Sequence, residues 1–384
     1  MKAAAFVLAT VFLAGAAAPA RAQLGGLGKL KGAADKAVNA KQKFDDYNIT
    51  DKEERQLGDQ VSLQLRERFG VYQDAKVTKY VALVGTVIAQ ASTRPSLDWQ
   101  FIVLDTDGVN AYAAPGGLIH ITRGLLGLMK NEGELAGVLG HEITHVTEKH
   151  TVNAIKREKS VTMGGEAFGS AGGLTQEAIA KLSAAAFNKV FRGEFSQGDE
   201  NESDKIGAQM ASKVGYIPQG IADVLKKIQA RNADRQDRNG MFASHPSIKE
   251  RIENNEKLIK SEKLAGKATA EARYKSTITF DAKPVTEIAT TEDGAAGLAS
   301  GDKKKGDDPK ATDEKKAEEP KKKGGIGIPG MGGGGKQQAS QQQASSAGAR
   351  GGVPDRDAKG GPNKSAVGVK VTAAELEAFK KGIA

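Results

Sequence analysis

The sequence predicts an α+β domain in which helices dominate. Three observations carry this expectation. Apolar residues recur at helical spacing before residue 92, with Tyr80, Leu83, Val84 and Val87 marking one packing face. Two short β-type runs, "LDWQFIVLD" and "LIHIT", then follow close together. Helical patterning resumes near Leu125 and fills most of the chain to about Lys260.

Taken in order, the chain opens with "MKAAAFVLATVFLAGAAAPARAQ". Lys2 precedes an uncharged apolar run, Ala3 to Ala17, too short to cross a membrane comfortably. Ala20-Arg21-Ala22 is a small-x-small cleavage signal, so residues 1–22 read as a secretory signal peptide. An uncleaved anchor is the alternative. No later run of about 18 apolar residues follows, so a mature chain without a transmembrane segment, periplasmic in a bacterium, is expected. Residues 23–47 form a Gly-, Ala- and Lys-rich lead-in. The main domain is expected over 48–290. Its first helix begins at Thr50 or Asp51, with acids in the first turn, and stops at Gly70. A second spans roughly Val77 to Ala91. Between the two β-type runs lies "NAYAAPGG", Asn110 to Gly117, an extended piece ending in a Pro-Gly-Gly turn. The later helices are broken by a Gly-rich loop near Gly169 to Gly173, and "YKSTITF" is a candidate strand.

Residues 291–367 are rich in Gly, Lys, Asp, Gln and Ser, a composition that cannot bury enough apolar surface to offset its ordering entropy; they read as a disordered linker. Residues 368–384 follow, with a Thr372/Glu375 capping box and a short amphipathic helix. A helix this short is marginal alone, so it should dock on its own domain or on an envelope protein partner. The formal charge of +9 comes with many lysines interleaved with acids between Gly301 and Lys323, and no nucleic-acid motif accompanies them. The absence of cysteine excludes disulfides, thiolate zinc sites, a cysteine nucleophile and a lipoprotein anchor.

Chemistry concentrates in "GVLGHEITHVTEKHT", Gly137 to Thr151, which holds three of the five histidines. His141 and His145 are four apart, about 40° apart on a helix, so both rings converge on one point. Glu142 lies beside them, where it can accept a proton from a metal-activated water. Two surface histidines are the plain alternative. Context favours a working helix. Asn131 and Glu134 form an N-terminal capping pair, and Leu135, Leu139, Ile143 and Val146 form an apolar stripe that leaves both histidines off it. On a continuous helix His150 falls about 180° from His141, which makes it a packing residue rather than a ligand.

A catalytic zinc needs a third protein ligand. "GDENESDKIGAQMAS" offers Glu200 and Asp204, four apart on one face. Glu200 could bind the ion, and Asp204 could accept the free ring N–H of a ligating histidine. Glu202 is the competitor on the wrong face, and a solvated acidic face is the alternative for all three.

Together, HEITHVTEKH, ENESD and SHPSIKERI resemble the HtpX and CAAX-prenyl-protease family of zinc metallopeptidases, nearest its soluble periplasmic, BepA-like subgroup. The resemblance runs from about Asn48 to Lys260 and includes "NAYAAPGGLIHITRGLL". It implies one zinc ion per chain held by His141, His145 and Glu200, with Glu142 as general base and Asp204 behind a ligand. It also implies a zincin-like domain with a small antiparallel sheet beside the active helix. Where the family usually has Arg and Ala, this chain has Gln197 and Ser203, which puts a local salt bridge in question. The strand Asn110, Ala111, Tyr112 and Ala113 is expected at the sheet edge, where an extended substrate could add to it; an inner strand is the alternative. His245, held extended by Pro246, is a candidate for stabilising the oxyanion or covering the metal as a fourth ligand, against a loop role. Arg251 would anchor its segment to the domain. His120 should face solvent or the cleft rim.

The function expected is zinc-dependent hydrolysis of peptide bonds in polypeptide substrates, in envelope protein quality control. The alternative is a chaperone-like or assembly factor that binds unfolded chains with latent proteolysis. A closed structural zinc site is disfavoured because such sites carry four protein ligands, usually thiolates.

Overall fold

The structure is a computed structural model that describes residues 43–44, 46–163, 167–193, 195–231, 248–284, 290–291, 342–343 and 369–383. The leader, nearly all of the Gly/Lys-rich segment and His245 therefore lie outside the described residues. Helix α1 (Asp51–Phe69) starts with Thr50 and Glu53 in a reciprocal capping box and ends at Gly70, as its sequence signals require. Helix α2 (Ala75–Gln90) is capped by Asp74. Strands β1 (Gln100–Leu104), β2 (Ala111–Ala114) and β3 (Leu118–Thr122) come next. Short α3 (Arg123–Leu128) leads into α4 (Glu132–Thr147), which carries the HEITH residues. Then follow α5 (His150–Met163), α6 (Gln176–Arg192), α7 (Gln197–Lys213) and α8 (Gly220–Arg231). Helices α9 (Ile248–Glu262) and α10 (Glu271–Thr277), the antiparallel two-residue strands β4 (Thr290–Thr291) and β5 (Gln342–Gln343), and helix α11 (Ala373–Lys380) complete the described elements. Among the described residues no helix is long and apolar enough to cross a membrane.

The three-stranded sheet has the order β1-β3-β2. It is mixed rather than antiparallel throughout: β2 pairs antiparallel with β3, while β1 runs parallel to β3. The cause is topological. The Pro115-Gly116-Gly117 turn folds β3 back along β2, and β3 then inserts between its two predecessors. Gly116 and Gly117 both take positive φ (75° and 96°), which only glycine adopts cheaply. Glu54, fully buried on α1, accepts a hydrogen bond from Gly116 N at 3.0 Å and two from Arg94, tying the turn to α1.

Strand alternation sorts the side chains into two cores. Phe101, Val103, Ala111, Ala113, Ile119 and Ile121 join the core under α2 and α4. Ile102, Leu104, Tyr112, Ala114 and Leu118 join the core under α1 and α6. The segment "YKSTITF" does not make a strand. Its first four residues complete α10, whose Tyr274 is buried and donates to Leu126 O at 2.6 Å. Tertiary burial of that ring overrides the β-prone residues around it.

Helix α11 docks on its own domain. Leu376 is buried, Lys79 of α2 pairs with Glu375 at 2.8 Å, and Arg273 stacks on the Phe379 ring at 3.9 Å while donating to Phe379 O. Arg273 also pairs with the fully buried Glu132 at the start of α4, which Tyr80 reaches at 2.6 Å and Tyr216 bonds as well. The last helix is thereby coupled to the N-terminus of the HEITH helix.

Helix α4 also packs closely on α7. A Cβ on Gly140 would meet Gly207 O at 2.9 Å, and one on Gly207 would meet His141 N at 2.8 Å. The two helices touch backbone to backbone there. At an open helix position Gly→Ala stabilises by about 1 kcal/mol. Here Gly207→Ala should instead destabilise by about 1–3 kcal/mol, because neither backbone can yield. Urea unfolding reads the sign directly, and a raised midpoint would refute this packing.

Candidate metal centre

Asn131 starts α4 by accepting from Glu134 N at 3.0 Å, so the register of the HEITH turn is set locally. The α4–α7 contact then sets what faces it. Glu200 and Asp204 lie on the first two turns of α7, which Ser196 and Asp199 cap reciprocally. His141 Nε2 and His145 Nε2 are 3.1 Å apart. Glu200 Oε2 is 3.6 Å from the first and Oε1 is 3.5 Å from the second. All three side chains are buried, and their ligand atoms lie within 4.8 Å of one another.

These distances suit a small tetrahedral cation. Bonds of about 2.0–2.1 Å place ligand atoms about 3.3 Å apart, and the three observed separations straddle that value. The donor set of two imidazole nitrogens and a carboxylate has the borderline softness zinc prefers. Charge points the same way. Glu142, Glu200 and Asp204 are buried beside Arg251, an acidic cluster that suits a cation.

Behind His141 sits a second layer. Asp204 Oδ1 accepts from His141 Nδ1 at 2.8 Å, which leaves Nε2 bearing the lone pair. Fully buried Arg251, from α9, grips Asp204 through Nε and Nη2, both at 2.7 Å, and reaches Glu200 Oε2 through Nη1 at 2.8 Å. Burial alone would raise the Asp204 carboxyl. The charge and hydrogen bonds of Arg251, with help from His141, outweigh it and hold that group well below the usual carboxylate range. Arg251 does anchor its segment, as expected, and it does so through the acids of the site. The ion pair to Glu200 comes from α9, while Gln197 bonds Glu250 instead.

One expectation needs correction, and another holds for a different reason. His120 is not at a rim. It is fully buried, 2.8 Å from Ser62 Oγ, and burial pushes its imidazole down to about 3. The wheel that set His150 opposite His141 assumed one continuous helix, but α4 ends at Thr147 and Lys149 turns left-handed (φ 56°) before α5 begins. His150 is buried and outside the three-residue group, yet its Nδ1 lies 3.0 Å from His145 Nδ1 and its Nε2 lies 3.1 Å from Glu202 Oε2. Glu202 thus points away from Glu200, toward His150. The Phe195 ring also lies against His145, at 4.2 Å between centroids. No local sequence signal marks that contact.

Among the described residues, β2 is an edge strand of the three-stranded sheet, paired only with β3. Its side chains are spoken for. Asn110 Oδ1 accepts from Ala111 N at 2.9 Å, and the Tyr112 ring stacks between Phe69 and Phe191 at 6.0 and 6.4 Å. Burial raises the Tyr112 hydroxyl pKa.

Several known peptidases are similar to this chain. Residues 75–259 match the model of peptidase family M48. The beta-barrel assembly-enhancing protease of Escherichia coli is 30% identical over 211 residues, 52% of this chain and 42% of that protein. Metalloprotease LoiP of Escherichia coli is 25% identical over 219 residues, 55% of this chain and 82% of its own. The mitochondrial metalloendopeptidase OMA1 of Schizosaccharomyces pombe is 29% identical over 175 residues, 46% of this chain and 51% of its own. The chain thus spans less than half the length of the assembly-enhancing protease. The match to family M48 covers a little under half of the chain.

Arg251→Met would leave Asp204 and Glu200 buried without their cation, and should cost about 3–5 kcal/mol at neutral pH. Because the folded pKa of Asp204 lies below its unfolded value of about 3.9, its contribution is full above that value and fades as pH falls through it. The gap between wild type and variant, measured by urea unfolding in chelator, should narrow steadily below about pH 4. A gap that widens with acid would contradict the assignment.

Proposed function

We propose that this domain is a zinc-dependent endopeptidase of peptidase family M48. The observation that carries the reading is the convergence of His141 Nε2, His145 Nε2 and Glu200 on one buried point, with Glu142 in the same helical turn. Those three would hold one zinc ion, which supplies a Lewis acid for a peptide carbonyl and lowers the pKa of a bound water. Glu142 takes the proton from the attacking water and delivers it to the leaving amine. Asp204, locked by Arg251, keeps the His141 proton on Nδ1 and its lone pair on Nε2.

The substrate class is polypeptide. An extended segment would lie along β2, bonding through the outward backbone groups of the strand Asn110 to Ala113, since the Asn110 side chain accepts from Ala111 N, its backbone N and O bond Thr122, and Tyr112 is stacked within the domain. Affinity would then depend little on substrate sequence, which suits clearance of misfolded or unassembled chains. We place that work in the bacterial envelope, on the leader-like start of the chain and the names of the Escherichia coli relatives. An assembly role without cleavage has less support, because the short helix that might have reached a partner packs on its own domain through Leu376.

Glu142→Gln keeps the shape and removes the base. Casein cleavage by the full chain should fall by about 10²–10⁴ while zinc content by elemental analysis stays near one per chain. Wild type that purifies without zinc, or a variant that cleaves as fast, would refute the reading.

A further inference from the structure

We propose that His150 and Glu202 are positioning residues for His145, a hydrogen-bonded relay that holds its Nε2 lone pair open for the metal. The inference rests on the metal site proposed above and extends it to two residues that touch neither the ion position nor the substrate strand.

The argument is one of proton placement. His145 turns Nε2 toward His141 Nε2 at 3.1 Å and Glu200 Oε1 at 3.5 Å. For Nε2 to bind a cation, the ring proton must sit on Nδ1. That nitrogen faces His150 Nδ1 at 3.0 Å. It can donate there only if His150 carries its own proton on Nε2. His150 Nε2 in turn lies 3.1 Å from Glu202 Oε2, with Asp199 Oδ1 farther off at 3.9 Å. A carboxylate only accepts, so it favours an N–H at that position. Glu202, His150 and His145 then have one consistent arrangement, and it bares His145 Nε2.

The reverse arrangement puts the His150 proton on Nδ1. A bare nitrogen lone pair would then face the Glu202 carboxylate, and the His145 proton would point at the metal position. Repulsion at one end and a blocked ligand at the other disfavour it. Ser203 Oγ, 3.5 Å from His150 Nδ1, is too long to compete. The two ligand histidines are therefore set by parallel devices. His141 is set directly by a buried aspartate, and His145 is set at one remove by a carboxylate whose side chain is half exposed. Fixing the outer hydrogen bond of a ligand histidine is typically worth 10–100-fold in metal affinity.

The test uses the full chain, stripped of metal and titrated with cobalt(II) against a competing chelator, with the visible d–d spectrum as a second readout. His150→Phe keeps the ring's bulk and removes its acceptor; affinity should fall about 10–100-fold. His150→Asn restores an oxygen at the δ position and should recover most of the loss. Glu202→Ala, altered only at a half-exposed side chain, should weaken binding and perturb the spectrum, while Glu202→Gln, which can still accept, should not. Thermal melts of the metal-free variants separate these effects from unfolding. His150→Phe or Glu202→Ala binding cobalt as tightly as wild type, or His150→Asn no better than His150→Phe, would overturn the relay and leave the metal site standing. Wild type that fails to bind cobalt would overturn both.

Discussion

The site depends on two helices being allowed to touch. With a side chain at either Gly140 or Gly207, α7 would stand off α4 and Glu200 would lose its place beside the two imidazoles. Helices ordinarily pack with axes 8–10 Å apart, held off by their side chains. Removing those side chains at one crossing brings a carboxylate from a separate helix close to a histidine pair. The geometry of the His-His-Glu cluster follows from that approach, and the approach follows from two hydrogen atoms standing where methyl groups would be.

Close approach brings its own difficulty, because it buries acids. Arg251 resolves most of it by giving both oxygens of Asp204 and one of Glu200 a fixed donor. A planar guanidinium suits this better than an ammonium, since its donors hold a fixed fork. The same residue fastens α9 to α7, so the helix that follows the undescribed 232–247 stretch is positioned by the electrostatics of the site itself. Stability and chemistry here share one set of bonds.

Much of this was legible in the sequence. Caps at Thr50, Asn131 and Thr372, the Pro-Gly-Gly turn and the His141–His145 spacing are local signals, and the elements they mark formed where expected. The pairing of Glu200 with those histidines came from resemblance, and the geometry brings the three together. What stayed hidden was nonlocal or depended on a break. Strand order cannot be read from three short runs, so the parallel β1–β3 pair was missed. The short α10 owes its helix to where Tyr274 is buried. Helical-wheel arithmetic failed at His150 because one left-handed residue, Lys149, resets the phase between α4 and α5. Arg251 was visible as an anchor, but nothing in its neighbourhood says what it anchors to.

The docking of α11 changes what the long segment before it is. Lys76 and Lys79, neighbours on one face of α2, bond Ser276 O and Lys370 O respectively. Both ends of the intervening stretch are thus moored to the same turn of one helix, which makes it an insertion within the domain and not an appendage trailing from it. Closing such a span grows costlier only with the logarithm of its length, by about 0.6 kcal/mol per doubling. Its length could vary widely between related chains without unseating the final helix, whereas a single break within it would leave that helix held by noncovalent contacts alone.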